Sequence, residues 1–235
     1  MQRFNDRPAV ALAVYAHPDD ADVAAGGTLA TWARAGTATH LLIVCDGAKG
    51  SHEPDTDFQA LRARRAAELQ TAADLLGAAS VTCLNRSDGE FSNDETLRGT
   101  IVEHVRRLRP EVVLGPDPTA TFFGGVYVNH RDHRETGWAL LDAVAPASAM
   151  PLYFPEAGAP HVVSHLLLSG THEPDVVVEV SSAIEAKVSA VLAHGSQLDN
   201  DPNGVRSIIL NRAQQAGREI GAPYGESFRH VALEH

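Results

Sequence analysis

The chain has 235 residues, of which 44% are apolar and 21% are charged. This length suits a single domain, which we expect to cover residues 1–235. The composition is typical of a soluble globular protein and excludes a disordered, collagen-like or membrane-spanning chain. With 19 Lys and Arg against 30 Asp and Glu, the net charge is −11. No overall basic charge would attract nucleic acid or an anionic membrane, so we expect neither as a partner.

Cysteine content and the N-terminal sequence favour a cytoplasmic location. Cys45 and Cys83, both in apolar stretches, are too few for a disulfide framework or a cysteine-rich zinc site. The charged segment 1–8 and the short apolar run after it are not typical of a signal peptide. The closing Leu233-Glu234-His235 resembles the start of an expression tag, and we expect it to carry no function.

The hydrophobic pattern predicts strands that alternate with helices. The first strand, 10–16, is nearly all apolar, as in a central strand covered on both faces, and a helix then extends to Ala35. Further strands are predicted at 38–45, 80–84, 112–114, 166–169 and 176–180, and further helices at 58–76, 95–108, 132–144, 182–193 and 205–216. This alternation predicts an α/β, Rossmann-like three-layer fold with a mainly parallel sheet. Ligands of such a fold bind at the carboxyl ends of the strands.

The first candidate site, His17-Pro18-Asp19-Asp20, comes directly after the first strand. His17 and Asp20 carry side chains that can bind a cation such as zinc, while Asp19 stays free to accept a proton. In the alternative interpretation, Asp20 caps the next helix and Asp19 is solvated. The motif alone leaves both interpretations open.

The second candidate site, Asn129-His130-Arg131-Asp132-His133, follows a loop at 115–130 that is too long for an ordinary connector. His130 and His133 are three residues apart near a helix start, so both rings can point to the same side. A single His-x-x-His pair is a weak signal. Together with the first motif, at the end of another strand, it predicts a metal site.

The two motifs, with Gly26-Gly27-Thr28-Leu29-Ala30 between them, resemble the PIG-L/LmbE-like zinc-dependent de-N-acetylases. This family includes enzymes that deacetylate N-acetylglucosaminyl-phosphatidylinositol and the sugar precursors of mycothiol and bacillithiol. The likeness extends to later segments: Arg65-Ala66-Ala67-Glu68, Asp88-Gly89, Glu185-Ala186-Lys187, His194-Gly195-Ser196-Gln197 and Gly225-Glu226-Ser227-Phe228. The chain departs from the family pattern at Ala21, where an acid usually follows the aspartate pair.

The resemblance implies a hydrolase that removes an N-acetyl or other N-acyl group from an amino sugar or a related small molecule. The zinc ligands that it implies are His17, Asp20 and His133. Fe²⁺ or another divalent ion could replace Zn²⁺, because His and Asp ligands do not select sharply among these ions. The alternative function is a metal- or sugar-binding protein of the same fold that does not catalyse a reaction.

The resemblance also implies the roles of three catalytic residues. Asp19 would be the general base. His130 would stabilise the developing oxyanion or protonate the departing amine, and Asp132 would orient an imidazole.

Substrate contacts are expected from a third group of residues: Arg65 and Asp88, which match sugar-contacting positions of the family, and His194, which would line the pocket. The alternatives are a solvated charge for Arg65 and a favourable position at a helix end for His194. The expected partner is a small N-acylated molecule, most simply an amino sugar. Homo-oligomer formation is left open.

Three other enzyme classes lack their defining turns. No Gly-x-Gly-x-x-Gly follows the first strand, and neither a P-loop motif nor a Gly-x-Ser-x-Gly motif occurs. A dinucleotide oxidoreductase, a P-loop NTPase and a serine hydrolase are therefore not expected.

Overall fold

The computed structural model describes residues 1–198 and 201–233. The last two residues of the tag-like segment, Glu234 and His235, lie outside the described residues. The strands, in chain order, are β1 (Gln2–Arg3), β2 (Val10–Tyr15), β3 (Ala38–Cys45), β4 (Ser80–Arg86), β5 (Val112–Pro116), β6 (Phe122–Phe123), β7 (Tyr127–Val128), β8 (His165–Ser169), β9 (Val176–Glu179) and β10 (Gly225–Ala232).

Eight of these strands form one sheet in the order β1-β9-β10-β8-β5-β2-β3-β4, and β6 pairs with β7 in a separate hairpin. Strand β10 runs antiparallel to β8 and β9, whereas the other neighbouring strands of the large sheet are parallel. The predicted mainly parallel sheet is therefore confirmed.

Helices cover both faces of this sheet. They are α1 (Asp20–Arg34), α2 (Phe58–Leu76), α3 (Glu95–Leu108), α4 (Arg131–Asp142), α5 (Ile184–Ala193) and α6 (Pro202–Arg218). One face packs against α1, α2, α5 and α6, and the other packs against α3 and α4. The three-layer fold that the sequence predicts is confirmed. Within 1–198 and 201–233, no helix is both long and apolar enough to cross a membrane.

The central strand β2 supplies both hydrophobic cores through its two-residue side-chain period. Ala13 and Tyr15 contribute to the core beneath α1, while Leu12 and Val14 contribute to the core beneath α3 and α4. This burial on both faces explains why β2 reads as a continuous apolar run.

Aspartate side chains cap the starts of α2, α3 and α6. Asp57 Oδ1 accepts the backbone N–H groups of Gln59 and Ala60 at the start of α2. Asp94 Oδ1 accepts the N–H of Leu97 at the start of α3. These caps satisfy N–H groups that have no partner within the first helical turn.

The sequence predicts neither β1, β10 nor the β6–β7 hairpin, and α4 ends earlier than the predicted helix at 132–144. A short π-helical turn, Ala143–Ala147, follows α4. The β10 sequence lacks a clear apolar alternation because the polar Glu226 lies on a buried side of the strand. The two strands of the hairpin have two residues each, which is too short for a periodic signal.

The proline-rich passage at 146–160 is held against α3 by one buried arginine. The Arg106 guanidinium donates hydrogen bonds to six backbone carbonyls between Ala147 and Gly158. An irregular segment thus gains partners for carbonyl groups that a regular element would satisfy internally.

A buried ion pair, Lys187 with Glu226, interrupts the backbone hydrogen bonding in the middle of α1. Glu226 accepts the N–H of Gly27, and Lys187 Nζ donates to the carbonyl of Val23, two groups that an undisturbed α-helix joins to each other. Lys187 and Glu226 also pair directly. A Cβ at Gly27 would lie 2.8 Å from the Val180 Cβ and 3.0 Å from Glu226 Oε1, so only glycine fits there without displacement.

Gly27→Ala should therefore lower the free energy of unfolding by about 1–3 kcal/mol, because the added methyl group overfills a packed contact. Urea denaturation of wild type and variant measures this change. The matched control is Gly26→Ala, whose Cβ would meet Lys187 Cγ at an ordinary 3.4 Å. The control should be neutral or gain up to about 1 kcal/mol from the helix propensity of alanine. Equal effects at both positions would contradict this account.

Candidate active site

The two predicted motifs meet at the carboxyl edge of the sheet. His17 follows β2, and the long loop that leads to His133 follows β5. Strands β2 and β5 are hydrogen-bonded neighbours with Ala13 opposite Leu114, so the segments after them leave the sheet side by side. His130 caps α4, because its Nδ1 accepts the N–H of Asp132 at 3.2 Å, and this cap fixes the start of the helix that carries His133.

The three predicted metal ligands face one another. His17 Nδ1 lies 3.2 Å from His133 Nε2 and 3.2 Å from Asp20 Oδ2, and His133 Nε2 lies 3.1 Å from Asp20 Oδ1. The backbone N–H of His17 donates to Asp20 Oδ2 at 2.7 Å. Asp20 thus turns back towards His17, and the alternative capping role for its carboxylate is not seen. Two imidazole nitrogens and a carboxylate at one point form a donor set that suits zinc.

In both histidines, the ring nitrogen that points away from the ligand cluster faces an oxygen acceptor. His17 Nε2 lies 3.4 Å from Asp88 Oδ1 and 3.6 Å from Asp132 Oδ2, and His133 Nδ1 lies 3.0 Å from Asn129 Oδ1. A proton on each of these nitrogens leaves His17 Nδ1 and His133 Nε2 with free lone pairs. Such outer contacts orient metal-binding histidines. The donor set and its surroundings therefore fit a divalent metal ion.

The charges around His17 favour a cation at the same point. Burial alone would raise the pKa of Asp132, but hydrogen bonds from the His17 ring and the Gly89 N–H hold it below its usual value. Burial would also raise the pKa of Asp88, but the His17 ring and the Lys49 N–H outweigh burial and lower this pKa. Although burial works against it, the negative charge of Asp20 raises the pKa of both His17 and His133. The raised pKa values of the two histidines indicate a negative potential at this point, which a metal ion would neutralise.

Asp19 lies beside this cluster and is held by Arg65. The Arg65 guanidinium donates to Asp19 Oδ1 at 2.7 Å and to the carbonyl oxygen of Gly47 at 2.9 Å. Arg65 is only 2% exposed, so it is not the solvated charge of the alternative interpretation. Its observed contact is with Asp19, which lines the cavity of the site.

A cavity of about 720 Å³ opens onto the cluster. This volume is within the range of pockets that bind small molecules. Asp19, Asp20 and His133 line one part of it, and the β6–β7 hairpin contributes aromatic and aliphatic side chains to another part. A further wall is built by residues on α1, at the end of β8 and on α6: Val23, Ala24, Ser169, Gly170 and Arg212.

Two predicted substrate contacts lie elsewhere. Asp88 is placed behind His17, where it also accepts the backbone N–H of Lys49. His194 is 1% exposed, and its Nε2 lies 2.7 Å from a carboxylate oxygen of Asp22. Neither side chain lines the cavity beside the cluster. Asp88 thus contacts the site through His17, whereas His194 pairs with Asp22 on α1, and a direct contact of either residue with substrate stays a prediction.

The sequence analysis assigned no role to several residues of the site. Asn129 was visible within the second motif, but its contact with His133 could not be read from spacing. Cys45 lies within 4.8 Å of the potential ligand atoms of His17, Asp88 and Asp132, although the sequence placed it only in the core. Burial raises the pKa of the Cys45 thiol, which favours its neutral form. Arg212 had no sequence signal at all.

An α/β sheet that carries two imidazoles, a carboxylate and a further acid at its carboxyl edge has the features of a metal-dependent hydrolase. The family model of the GlcNAc-PI de-N-acetylases, PIG-L, matches residues 12–144. The chain belongs to this family. The predicted family and the predicted enzyme class, a de-N-acetylase, are confirmed.

Relatives of known activity cover most of the chain. Diacetylchitobiose deacetylase of Thermococcus kodakarensis is 31% identical over 97% of this chain and 85% of its own length. The 1D-myo-inositol 2-acetamido-2-deoxy-alpha-D-glucopyranoside deacetylase of Kineococcus radiotolerans is 28% identical over 83% of this chain and 71% of its own length.

Solved structures agree on the fold. The N,N'-diacetylchitobiose deacetylase of Pyrococcus horikoshii matches with a TM-score of 0.86 and 28% identity, over 96% of this chain and 84% of its own. A 4-carboxy-2-hydroxymuconate hydratase from Pseudomonas putida matches with a TM-score of 0.79 at 22% identity, over 96% of this chain and 97% of its own. That second likeness shows the fold alone.

Asp132→Asn should weaken metal binding about 10- to 100-fold, because the substitution removes a negative charge that orients and polarises His17. The affinity for Zn²⁺ can be measured by competition with a chromogenic chelator. Glu135→Gln is the matched control on the same helix, since Glu135 accepts the N–H of Asn93 and does not contact His17. An affinity that stays at the wild-type value in Asp132→Asn would remove this residue from metal binding.

Proposed function

We propose that the protein removes the N-acetyl group from an N-acetylated amino sugar that is joined to a second chemical group, with Zn²⁺ held by His17, Asp20 and His133. The observation that carries this proposal is the convergence of three ligand atoms beside Asp19 at the end of a large cavity. Two relatives support the substrate class, because their names describe N-acetylated amino sugars linked to a further ring.

Zinc is the simplest choice for a site with two nitrogen ligands and one carboxylate. A bound Zn²⁺ supplies Lewis acidity, which activates water near neutral pH and polarises the amide carbonyl. Fe²⁺ is the alternative, because the same ligands accept it. The cytoplasmic location stays a prediction, and homo-oligomer formation stays open.

Asp19 is the general base of the proposed reaction. Its Oδ1 is occupied by Arg65, whereas Oδ2 has no hydrogen-bond partner within 1–198 and 201–233. The free oxygen can take the proton of the attacking water, while the guanidinium keeps the carboxylate in place. The new carbon–oxygen bond then forms at the acetyl carbonyl carbon.

In the proposed reaction, His130 stabilises the charge that develops on the carbonyl oxygen. Because its Nδ1 accepts the Asp132 N–H, the neutral ring carries its proton on Nε2, which leaves Nε2 as a donor. The ring is exposed, and its centroid is 4.8 Å from that of His17. A hydrogen bond from Nε2 to the oxyanion lowers the barrier to attack. Cleavage of the carbon–nitrogen bond, with the proton that Asp19 took from water delivered to the nitrogen, releases acetate and a free amine.

The purified protein, loaded with Zn²⁺, should release acetate from N,N'-diacetylchitobiose or from a glycoside of N-acetylglucosamine. Acetate can be quantified with a coupled enzyme assay, with and without prior removal of metal by a chelator. Activity should fall to background after metal removal and return with one equivalent of Zn²⁺ or Fe²⁺. An absence of acetate from every acetylated sugar, at full metal occupancy, would refute the proposal.

Asp19→Asn should reduce kcat by about 10²- to 10⁴-fold, because the amide has the shape of the carboxylate but cannot accept the proton. Metal content should stay near that of wild type, since the proposed ligands are unchanged. Metal analysis and steady-state kinetics on the same preparation separate the two effects. Asp46→Asn is the matched control: Asp46 follows β3 at the same edge of the sheet but does not line the cavity. Wild-type turnover in Asp19→Asn would exclude a base role.

A further inference from the structure

Arg212 is a cation in the wall of the active-site cavity that the proposed reaction does not use. It lies on α6 and lines the same cavity as Asp20 and His133. The two acidic residues of that cavity, Asp19 and Asp20, are already engaged by Arg65 and by the imidazoles. Across the part of the chain that the structure describes, no carboxylate lies within ion-pair distance of Arg212.

A smaller cavity adjoins the first one at this arginine. A second cavity of about 140 Å³ shares five lining residues with the first: Val23, Ala24, Ser169, Gly170 and Arg212. A Cβ at Gly170 would meet no atom within 4 Å, so the space beside this wall is open. A substrate whose acetyl group lies at the His133 end therefore has room to extend towards Arg212.

Neighbouring polar groups do not compete for the guanidinium. The hydroxyl of Ser169 donates to the Gly115 carbonyl and is 3.0 Å from the hydroxyl of the buried Tyr15. The other cation near the shared wall, Lys187, is paired with Glu226. Arg212 is thus the cation of this wall whose charge is not balanced by a protein partner within 1–198 and 201–233.

We propose that Arg212 forms an anion subsite, which binds a carboxylate or phosphate on the group linked to the acetylated amino sugar. The inference rests on the proposed function, since that function places the acetyl group at the other end of the cavity. A guanidinium binds either anion through two parallel hydrogen bonds. In a chain with a net charge of −11, the exposed guanidinium of Arg212 at the cavity wall, which has no carboxylate partner within 1–198 and 201–233, counteracts the general repulsion of anions.

The test compares three glycosides of N-acetylglucosamine that differ only in the aglycone: 2-hydroxyethyl, carboxymethyl and 2-phosphoethyl. The wild-type enzyme should show a KM about tenfold lower for at least one anionic glycoside than for the neutral one. The anion that gives the lower KM identifies the preferred group. Equal KM values, or a lower KM for the neutral glycoside, would overturn the proposal.

R212A should raise KM for the preferred anionic glycoside about tenfold more than KM for the neutral one, and R212K should lie between R212A and wild type because it keeps charge without the fork geometry. R218A is the matched control, since Arg218 is an exposed arginine of the same helix that lies outside the cavity lining. Thermal denaturation should show unchanged folding in all three variants. An equal rise in KM for every glycoside would contradict an anion subsite.

Calorimetric binding of the three glycosides to wild type and R212A separates this inference from the proposed function. If no acetate is released, the proposed reaction fails, yet the subsite is still tested by whether R212A abolishes tighter binding of the anionic glycoside. Binding that is equally tight in both proteins would overturn the subsite whatever the turnover.

Discussion

The parallel pairing of β2 with β5 is the constraint on which the active site depends. Ala13 lies opposite Leu114 in this pairing, and both strands are buried on both faces. A slip in register would turn apolar side chains away from one of the two cores. The cost of such a slip keeps His17 and the loop leading to His133 at one height along the sheet. Hydrophobic burial, not the polar residues themselves, therefore brings the ligand atoms together.

Polar contacts then set the orientation that burial alone cannot supply. Asp88 and Asp132 face one nitrogen of His17, and Asn129 faces one nitrogen of His133. Buried carboxylates are costly unless they are hydrogen-bonded. The N–H of Lys49 donates to Asp88 Oδ2, and the N–H of Gly89 donates to Asp132 Oδ2. The same contacts leave the other ring nitrogens free for a metal. The same hydrogen-bond network thus stabilises the buried charges and keeps the other ring nitrogens available to bind a metal.

The sequence predicted the central strands and the ligand motifs because their signals are local. Apolar runs mark β2, and His17-Pro18-Asp19-Asp20 directly follows it. It did not predict β10, the contact between Arg65 and Asp19 or the six carbonyl partners of Arg106, since each joins residues that are distant along the chain. Glu226 illustrates the reason: its burial against Lys187 becomes understandable only when α1, α5 and β10 are seen together. Long-range polar pairs leave no periodic pattern in a sequence.

The cavity has two kinds of wall: one carries the reacting groups, and the other can determine which substrate is accepted. The reacting groups follow buried parallel strands, whose positions the cores hold tightly. The facing wall comes from the β6–β7 hairpin, where Val126 is 95% exposed, and from the exposed Arg212 on α6. Substitutions on these exposed elements cost little stability, because they disturb few buried contacts. Changes there can alter which linked group the cavity accepts, while Asp19 and the ligand cluster remain in place. The same reaction can therefore act on different substrates.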